Sequence, residues 1–278
     1  MKMTFSCTGA ILGLAVLAGC SSSGRIENES RSSAPPLLTS ESLYGEGHRL
    51  YRAAEFDSAR HYLEAALAID SVYVPALRDL GQICYQTGLT REPGSAAHES
   101  EFRWALICYQ RLESARQEDA ETYNRLTEIT HALGEQDLFL HYAGKQAERF
   151  PGDRQQYNLG LAYFEDGLFQ EVITSQKEAV SAYGHSPYVG GFYRLLGDAY
   201  FAVDRQQTAE RTYREGVAAA DERIDFFSTA DPEFRSGSPY KLLSESRRSM
   251  LVSLRKIYKL HGKTAELEEV DRRLEEIR

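Results

Sequence analysis

A motif that recurs along the chain constrains the possible folds more than any other feature. Its clearest copy is LRDLGQICYQTG, Leu77 to Gly88, in which the apolar and small residues fall on one face of a helix: Leu77, Leu80, Gly81 and Cys84. The missing side chain of Gly81 lets a second helix approach that face closely. Gly88 is the expected helix stop, because glycine readily adopts the left-handed conformation. Related stretches are QYNLGLAYFEDG, which ends at Gly167, and YRLLGDAYFAVD, which ends at Asp204.

This motif resembles helix A of a tetratricopeptide repeat, a hairpin of two antiparallel helices called A and B. The stretch FDSARHYLEAALAID resembles helix B, with small residues where the helices cross and a leucine between them: Ala59, Leu63 and Ala66. In the second hairpin we expect helix B around Phe102 to Leu112, with three residues facing the core: Trp104, Ala105 and Tyr109. The resemblance covers about 41–278 and implies an all-α fold, a right-handed superhelical array of about five to six hairpins (an α-solenoid).

The spacing of the small-residue position tests this register. The position falls at Gly47, Gly81, Thr127, Gly160, Gly197 and Arg255, at intervals of 34, 46, 33, 37 and 58 residues. Against a period of about 34 residues, the two long intervals predict insertions at about 89–100 and at about 221–244. The first insertion separates the helices of the second hairpin. In the second, helix B of the fifth hairpin continues through Phe226 and breaks at DPEFRSGSP.

The first twenty residues predict export and lipid attachment. Lys2 precedes an apolar run, Ala10 to Ala18, that is too short to span a bilayer. The run ends in LAGC, which resembles a bacterial lipobox and implies cleavage before Cys20 and lipidation of its thiol. We therefore expect a signal peptide at 1–19, the lipidated cysteine and a flexible serine-rich tether at 20–40, and the repeat domain at 41–278. An ordinary secretory peptide with an incidental cysteine is the alternative.

The residue after the predicted lipidation site indicates the membrane. Ser21 stands there, rather than an aspartate that would resemble an inner-membrane retention signal. We expect attachment to the bacterial outer membrane at its periplasmic face, with surface exposure left open.

The chain has no recognisable catalytic motif. His98-Glu99 begins like a zinc-protease helix, but Phe102 occupies the place of the second histidine. A glycine-rich phosphate loop, a C-x-x-C pair and a nucleophile elbow are all missing from the sequence. A net charge of −9 argues against binding to nucleic acid. We therefore predict a protein that is not an enzyme and that has no cofactor and no metal.

The predicted mature chain contains two cysteines besides Cys20. Cys84 lies late in helix A of the second hairpin, and Cys108 lies midway along its helix B. An oxidising periplasm permits a disulfide between them. The alternative is that both are small buried apolar residues.

The resemblance implies that a partner binds to the concave face, which helix A residues line. In this register the candidate groove residues are Tyr44, His48, Tyr51, Arg78, Gln82, Tyr85, Asn124, Glu128, His131, Tyr157, Leu161, Phe164, Arg194, Asp198 and Phe201. Aromatic residues recur next to the core position of helix A, and tyrosine and arginine dominate binding hot spots. The alternative is that these aromatic residues thicken the core and leave no groove.

These features favour an adaptor that holds an envelope protein or peptide in its groove. The lysine and asparagine clamp for a terminal carboxylate, found in some relatives, is missing, because Tyr44, His48, Arg78 and Gln82 occupy the comparable positions. The alternative function is a small-molecule or glycan-binding lipoprotein whose site is built by the second insertion, with Phe226, Phe227, Phe234 and Tyr240. The sequence does not indicate an oligomeric state.

Overall fold

The computed structural model describes residues 39–230 and 237–277, and all regular structure in these ranges is α-helical, as predicted. The helices are α1 Ser40–Arg52, α2 Phe56–Ile69, α3 Val74–Leu89, α4 Ala96–Ser114, α5 Ala120–Ala132, α6 Gln136–Arg149, α7 Asp153–Glu165, α8 Phe169–Tyr183, α9 Val189–Ala202, α10 Gln206–Ala230, α11 Ser238–His261 and α12 Thr264–Glu275. The expected signal peptide and Cys20, most of the tether, and Phe234 lie outside the described residues. In the described ranges, no helix is both long and apolar enough to cross a membrane.

Successive helices of the described ranges form six hairpins whose first and second members occupy two layers. Each helix packs on the next one along the chain, and α1 packs on α3, α7 on α9, and α9 on α11. We call the odd-numbered helices the A layer and the even-numbered helices the B layer.

The predicted small-residue position is where the two helices of a hairpin come closest. A methyl group added to Gly47 would lie 3.0 Å from Leu63, and one added to Gly81 would lie 3.2 Å from the Tyr109 ring. At Gly197 an added methyl group would collide with the ring of Tyr213. In each case a large side chain of the B helix fills the space that the glycine leaves.

The turn that follows helix A is also regular. Seven residues after the small position, the backbone takes a left-handed conformation at Ala54, Gly134, Gly167, Asp204 and Gly262, with φ between 57° and 75°. The expected stop at Gly88 is wrong. Gly88 is buried within α3, which extends to Leu89, and an added methyl group there would lie 3.3 Å from the Phe102 ring.

Helices extend into both predicted insertions. In the first, a short loop joins Leu89 to α4, which begins at Ala96 and is 19 residues long. In the second, α10 extends to Ala230 and α11 begins at Ser238, so both helices are longer than those of the other hairpins.

One residue expected to face the core, Trp104, does not do so, and the two cysteines of the second hairpin are not bridged. Trp104 lies on the outer side of α4, away from the core, and 43% of its surface is exposed. Cys84 and Cys108 are free buried thiols and form no disulfide. The Cys84 Sγ accepts a hydrogen bond from Arg60 Nη2 at 3.3 Å, and burial raises the pKa of Cys108 to about 12. Both cysteines therefore act as small apolar residues between α3 and α4.

The apolar core is divided near the middle of the array. One cluster belongs mainly to α1–α5 and the other mainly to α8–α12, with a small cluster of Phe139, Ala143 and Ala162 between them. Gln176 packs on Gly160, at the position that leucine or tyrosine occupies in other hairpins. Gln146 nearby is also fully buried. These buried amides replace the apolar contacts that would join the clusters.

The glycine contact gives a direct test of the hairpin packing. We expect Gly197→Ala to lower the free energy of unfolding by about 1–3 kcal/mol, because the new methyl group overlaps the Tyr213 ring. Gly144→Ala, at a position with nothing within 4 Å, is the matched control and should raise it by about 0.5–1 kcal/mol. Urea unfolding followed by circular dichroism measures both. Equal effects of the two substitutions would contradict the proposed contact.

Candidate binding site

A hollow at the C-terminal half of the A layer brings together residues from four helices. Its volume is about 260 Å³, and it is lined by Phe164 of α7, Asp198, Phe201 and Ala202 of α9, Tyr213 of α10, and Ser253 and Lys256 of α11. Three of the predicted groove residues therefore meet here: Phe164, Asp198 and Phe201.

The hairpin contact at Gly197 builds the polar wall of this hollow. Because Gly197 has no side chain, the Tyr213 ring crosses α9 and its hydroxyl donates to Asp198 Oδ1 at 2.6 Å. Arg194, one turn earlier on α9, donates from Nη1 to Asp198 Oδ2 at 3.2 Å and from Nη2 to the Tyr157 hydroxyl at 3.2 Å. Asp198 is thus held in place by groups from two helices.

Burial dominates the electrostatics of Asp198. Desolvation raises the pKa of its carboxyl group, and the bonds from Tyr213 and Arg194 oppose that shift only in part. Burial and the neighbouring Asp198 carboxylate together raise the pKa of the Tyr213 hydroxyl. The tyrosine therefore remains a hydrogen-bond donor throughout the physiological pH range.

The other wall of the hollow is apolar. Phe164 is half-buried and meets Phe169 edge-on, with ring centroids 5.5 Å apart. Phe201 leaves 43% of its surface exposed. Lys256 lies exposed at the edge and makes no hydrogen bond or ion pair with any described residue. The hollow thus offers an aromatic wall, a fixed hydrogen-bonding wall and a free ammonium group.

Most other predicted groove residues are engaged in bonds between neighbouring hairpins. The bonded pairs are His48 Nδ1 with Asp79 Oδ2 at 2.6 Å, Arg78 Nη1 with Asp119 Oδ2 at 2.7 Å, Tyr85 hydroxyl with Glu128 Oε2 at 2.8 Å, and His131 Nε2 with Glu165 Oε1 at 3.0 Å. Asn124 Oδ1 accepts from Gln146 and Gln155, and Gln82 Oε1 accepts from the Tyr109 hydroxyl at 3.3 Å. Tyr44 and Tyr51 pack on the first core cluster, and Leu161 on the second.

The aromatic residues predicted to recur along the A helices form a stripe of Tyr51, Tyr85, Phe164 and Phe201, with His131 in the middle repeat, and the structure divides it. Tyr85 is buried, with its ring 5.8 Å from the Phe102 ring and the Arg125 guanidinium 4.2 Å above it. For this residue the core interpretation is correct. Phe164 and Phe201 are the members of the stripe that line the hollow.

Four residues of the hollow were missed by sequence reasoning. Ala202 and Tyr213 are not among the predicted groove residues, and no groove residue was predicted on α11. Lys256 follows Arg255 as Asp198 follows Gly197, so the same register would have identified it. No signal in the sequence marks Ser253.

Two of the three described aromatic residues of the second insertion pack against the core. Phe227 and Tyr240 pack against the second core cluster, whereas Phe226 is 55% exposed and meets Phe227 edge-on at 5.4 Å. Through these contacts the aromatic residues cover the last hairpins.

Comparisons with known proteins identify the fold. The chain is similar in structure to MamA, with a TM-score of 0.54 and 16% identity, covering 67% of this chain and 94% of that one. It is similar to YrrB, described as a TPR protein with an unusual peptide-binding site, with a TM-score of 0.52 and 14% identity, covering 64% and 84%. These likenesses confirm the predicted array of tetratricopeptide-like hairpins.

Sequence comparison adds little to this. No family model matches the chain. A stretch of 68 residues is 29% identical to the human protein O-mannosyl-transferase TMTC2, covering 24% of this chain but only 8% of that protein.

The raised pKa of Asp198 predicts a pH dependence of stability. When folding raises the pKa of a carboxyl group, the protein loses stability as the pH rises from the ordinary pKa of the group, here 3.8, through its pKa in the folded state. We therefore expect the free energy of unfolding of wild type to fall relative to that of Asp198→Asn over this range. The fall should be about 1.4 kcal/mol for each tenfold decrease that folding causes in the acid dissociation constant of Asp198. Urea unfolding of both proteins at several pH values between about 4 and 7 measures the difference. A difference that stays constant or changes in the opposite direction would contradict the assignment.

Proposed function

We propose that this chain is a non-enzymatic adaptor that holds a protein partner on its A layer and receives an apolar side chain of that partner in the hollow. The observation that carries the proposal is the exposed Phe201 ring beside Phe164. Exposed aromatic rings on a rigid scaffold lose little conformational entropy on binding and supply large contact areas.

The polar wall determines which partner side chain fits. Asp198 is already bonded to Tyr213 and Arg194, so the charged group at the hollow that has no hydrogen bond or ion pair with a described residue is the ammonium group of Lys256. A partner segment that places an apolar residue next to a carboxylate would complement both features. The peptide-binding site described for YrrB supports a peptide as the ligand class.

We further propose that the adaptor is attached to the bacterial outer membrane through Cys20. The support is the sequence: a short apolar run, the LAGC end of that run, and Ser21 after the cysteine. A polar tether of about 20 residues would hold the repeat domain on the order of 25 Å from the membrane. The partner would then be an envelope protein.

Photo-crosslinking from position 201 tests the adaptor function. A benzophenone amino acid placed at Phe201 should capture one partner in the cell, whereas the same group at Phe226 should not. Phe226 is a matched control, because it is an exposed phenylalanine of α10 outside the hollow. Affinity capture by wild type and by Phe226→Ala should be equal, and the Phe164→Ala/Phe201→Ala variant should capture at least about tenfold less. Equal capture by all three proteins would overturn the role of the hollow.

Membrane fractionation tests the anchor. We expect Cys20→Ala to move the protein from the membrane to the soluble fraction, because it removes the only thiol at the predicted cleavage site. Cys7→Ala is the matched control and should leave the protein in the membrane, since Cys7 lies within the predicted signal peptide. Continued membrane binding of the Cys20→Ala protein would contradict lipidation at this site.

A further inference from the structure

The outer face of α4 carries the only tryptophan of the chain on an exposed apolar surface. Trp104 and Ile107 are 43% and 40% exposed and lie three residues apart, on the same side of the helix. They border a shallow hollow of about 330 Å³ lined by six residues of this helix: Ala96, Glu99, Ser100, Arg103, Trp104 and Ile107. We call these six residues the α4 face.

Large and small residues occupy opposite halves of the α4 face. Ala96 and Ser100 form its N-terminal half, and Trp104 and Ile107 form its C-terminal half. If a second α4 helix lies antiparallel across it, with the two-fold axis between residues 101 and 102, each large residue meets a small one. Ile107 then faces the partner's Ala96, and Trp104 faces the partner's Ser100.

The charges of the α4 face are complementary about the same axis. Glu99 and Arg103 are centred on residue 101, within one residue of that axis, so each faces its opposite charge on the second helix. The Glu99 carboxylate makes no hydrogen bond or ion pair with any described residue. Arg103 donates from Nη1 to Glu135 Oε1 at 3.0 Å, but 54% of its side chain is exposed and its Nη2 group has no partner among the described residues.

The flanks of the helix also agree with this arrangement. At about 100° per residue, Ala96 and Ile107 lie in the middle of the α4 face, Ser100 and Trp104 on one side, and Glu99 and Arg103 on the other. A two-fold axis perpendicular to an antiparallel pair places each side of one helix against the same side of its partner. All six residues of the face therefore find a counterpart within the face itself.

We propose that two copies of this chain associate through an antiparallel, two-fold pairing of their α4 helices. The interface uses a B-layer helix, whereas the hollow that contains Phe201 lies on the A layer. Pairing through α4 therefore leaves that hollow accessible, and the inference does not depend on the proposed adaptor function.

Charge reversal is the first test. Two full-length copies with different C-terminal tags are produced in the same cells, and the amount of the second copy captured with the first is measured. We expect Glu99→Arg in both copies, or Arg103→Glu in both, to reduce co-capture about tenfold, because each variant places like charges opposite each other twice per pair. The double variant Glu99→Arg/Arg103→Glu should restore co-capture to within about twofold of wild type.

Glu135→Gln is the matched control for these variants. It removes the ion pair of Arg103 within the chain but keeps the charges of the α4 face, so co-capture should remain at the wild-type level. If the wild-type copies are not captured together, or if the double variant fails to restore capture, the proposal is wrong. In either case the exposed face would have to serve another partner.

The fluorescence of Trp104 provides a second, independent test on the purified full-length chain. On dilution, the emission maximum should shift to longer wavelength and quenching by acrylamide should increase, because the indole becomes exposed as the pair separates. Leu260→Ala is the control for the loss of an exposed apolar side chain, because Leu260 is 66% exposed at the end of α11. Its co-capture should equal that of wild type. Trp104→Ala should reduce co-capture by at least about tenfold. Emission that does not depend on concentration, while copies still co-capture, would place the contact elsewhere and overturn the proposal.

Discussion

The contact between a glycine of an A helix and a large residue of its B helix is the interaction on which the rest of the structure depends. Gly47 receives Leu63, and Gly197 receives Tyr213. In both hairpins the large residue comes 16 positions after the glycine, whereas the first insertion lengthens the spacing between Gly81 and Tyr109 to 28 positions. Without a Cβ at the small position, the helices approach closely enough to exclude water from the apolar residues on either side.

The same contact also builds the candidate binding site. The Tyr213 ring lies over Gly197 and extends to the far side of α9, where its hydroxyl fixes Asp198. The hydrogen-bonding wall of the hollow is therefore a product of hairpin packing rather than a separate feature. The fourth hairpin lacks an apolar residue at this contact and shows what the contact contributes. Gln176 replaces the large apolar residue over Gly160, and there the core separates into two clusters.

Polar residues of the A layer mainly connect neighbouring hairpins. His48 bonds to Asp79, and Tyr85 bonds to Glu128, so side chains that a groove would offer to a partner instead fix the register of the array. The hollow at the C-terminal half remains accessible because Phe201 and Lys256 lack such partners among the described residues. The α4 face lies on the other layer, so the proposed self-association and the proposed partner binding can coexist.

The sequence by itself determined the all-α hairpin architecture, the register of the repeats and the position of most of the turns. These features follow from local rules: apolar residues at helical spacing, a glycine at four of the six crossings, and in five hairpins a left-handed residue seven positions later. The register also contained the position of Lys256, which follows Arg255 as Asp198 follows Gly197.

Only the tertiary structure decided which side chains of the A layer remain exposed to a partner. Tyr85 and Phe201 occupy equivalent positions in their repeats, yet one is buried beneath Arg125 and bonded to Glu128, and the other is exposed. Exposure depends on what the neighbouring hairpins place against a residue, and the motif of a single repeat does not specify its neighbours.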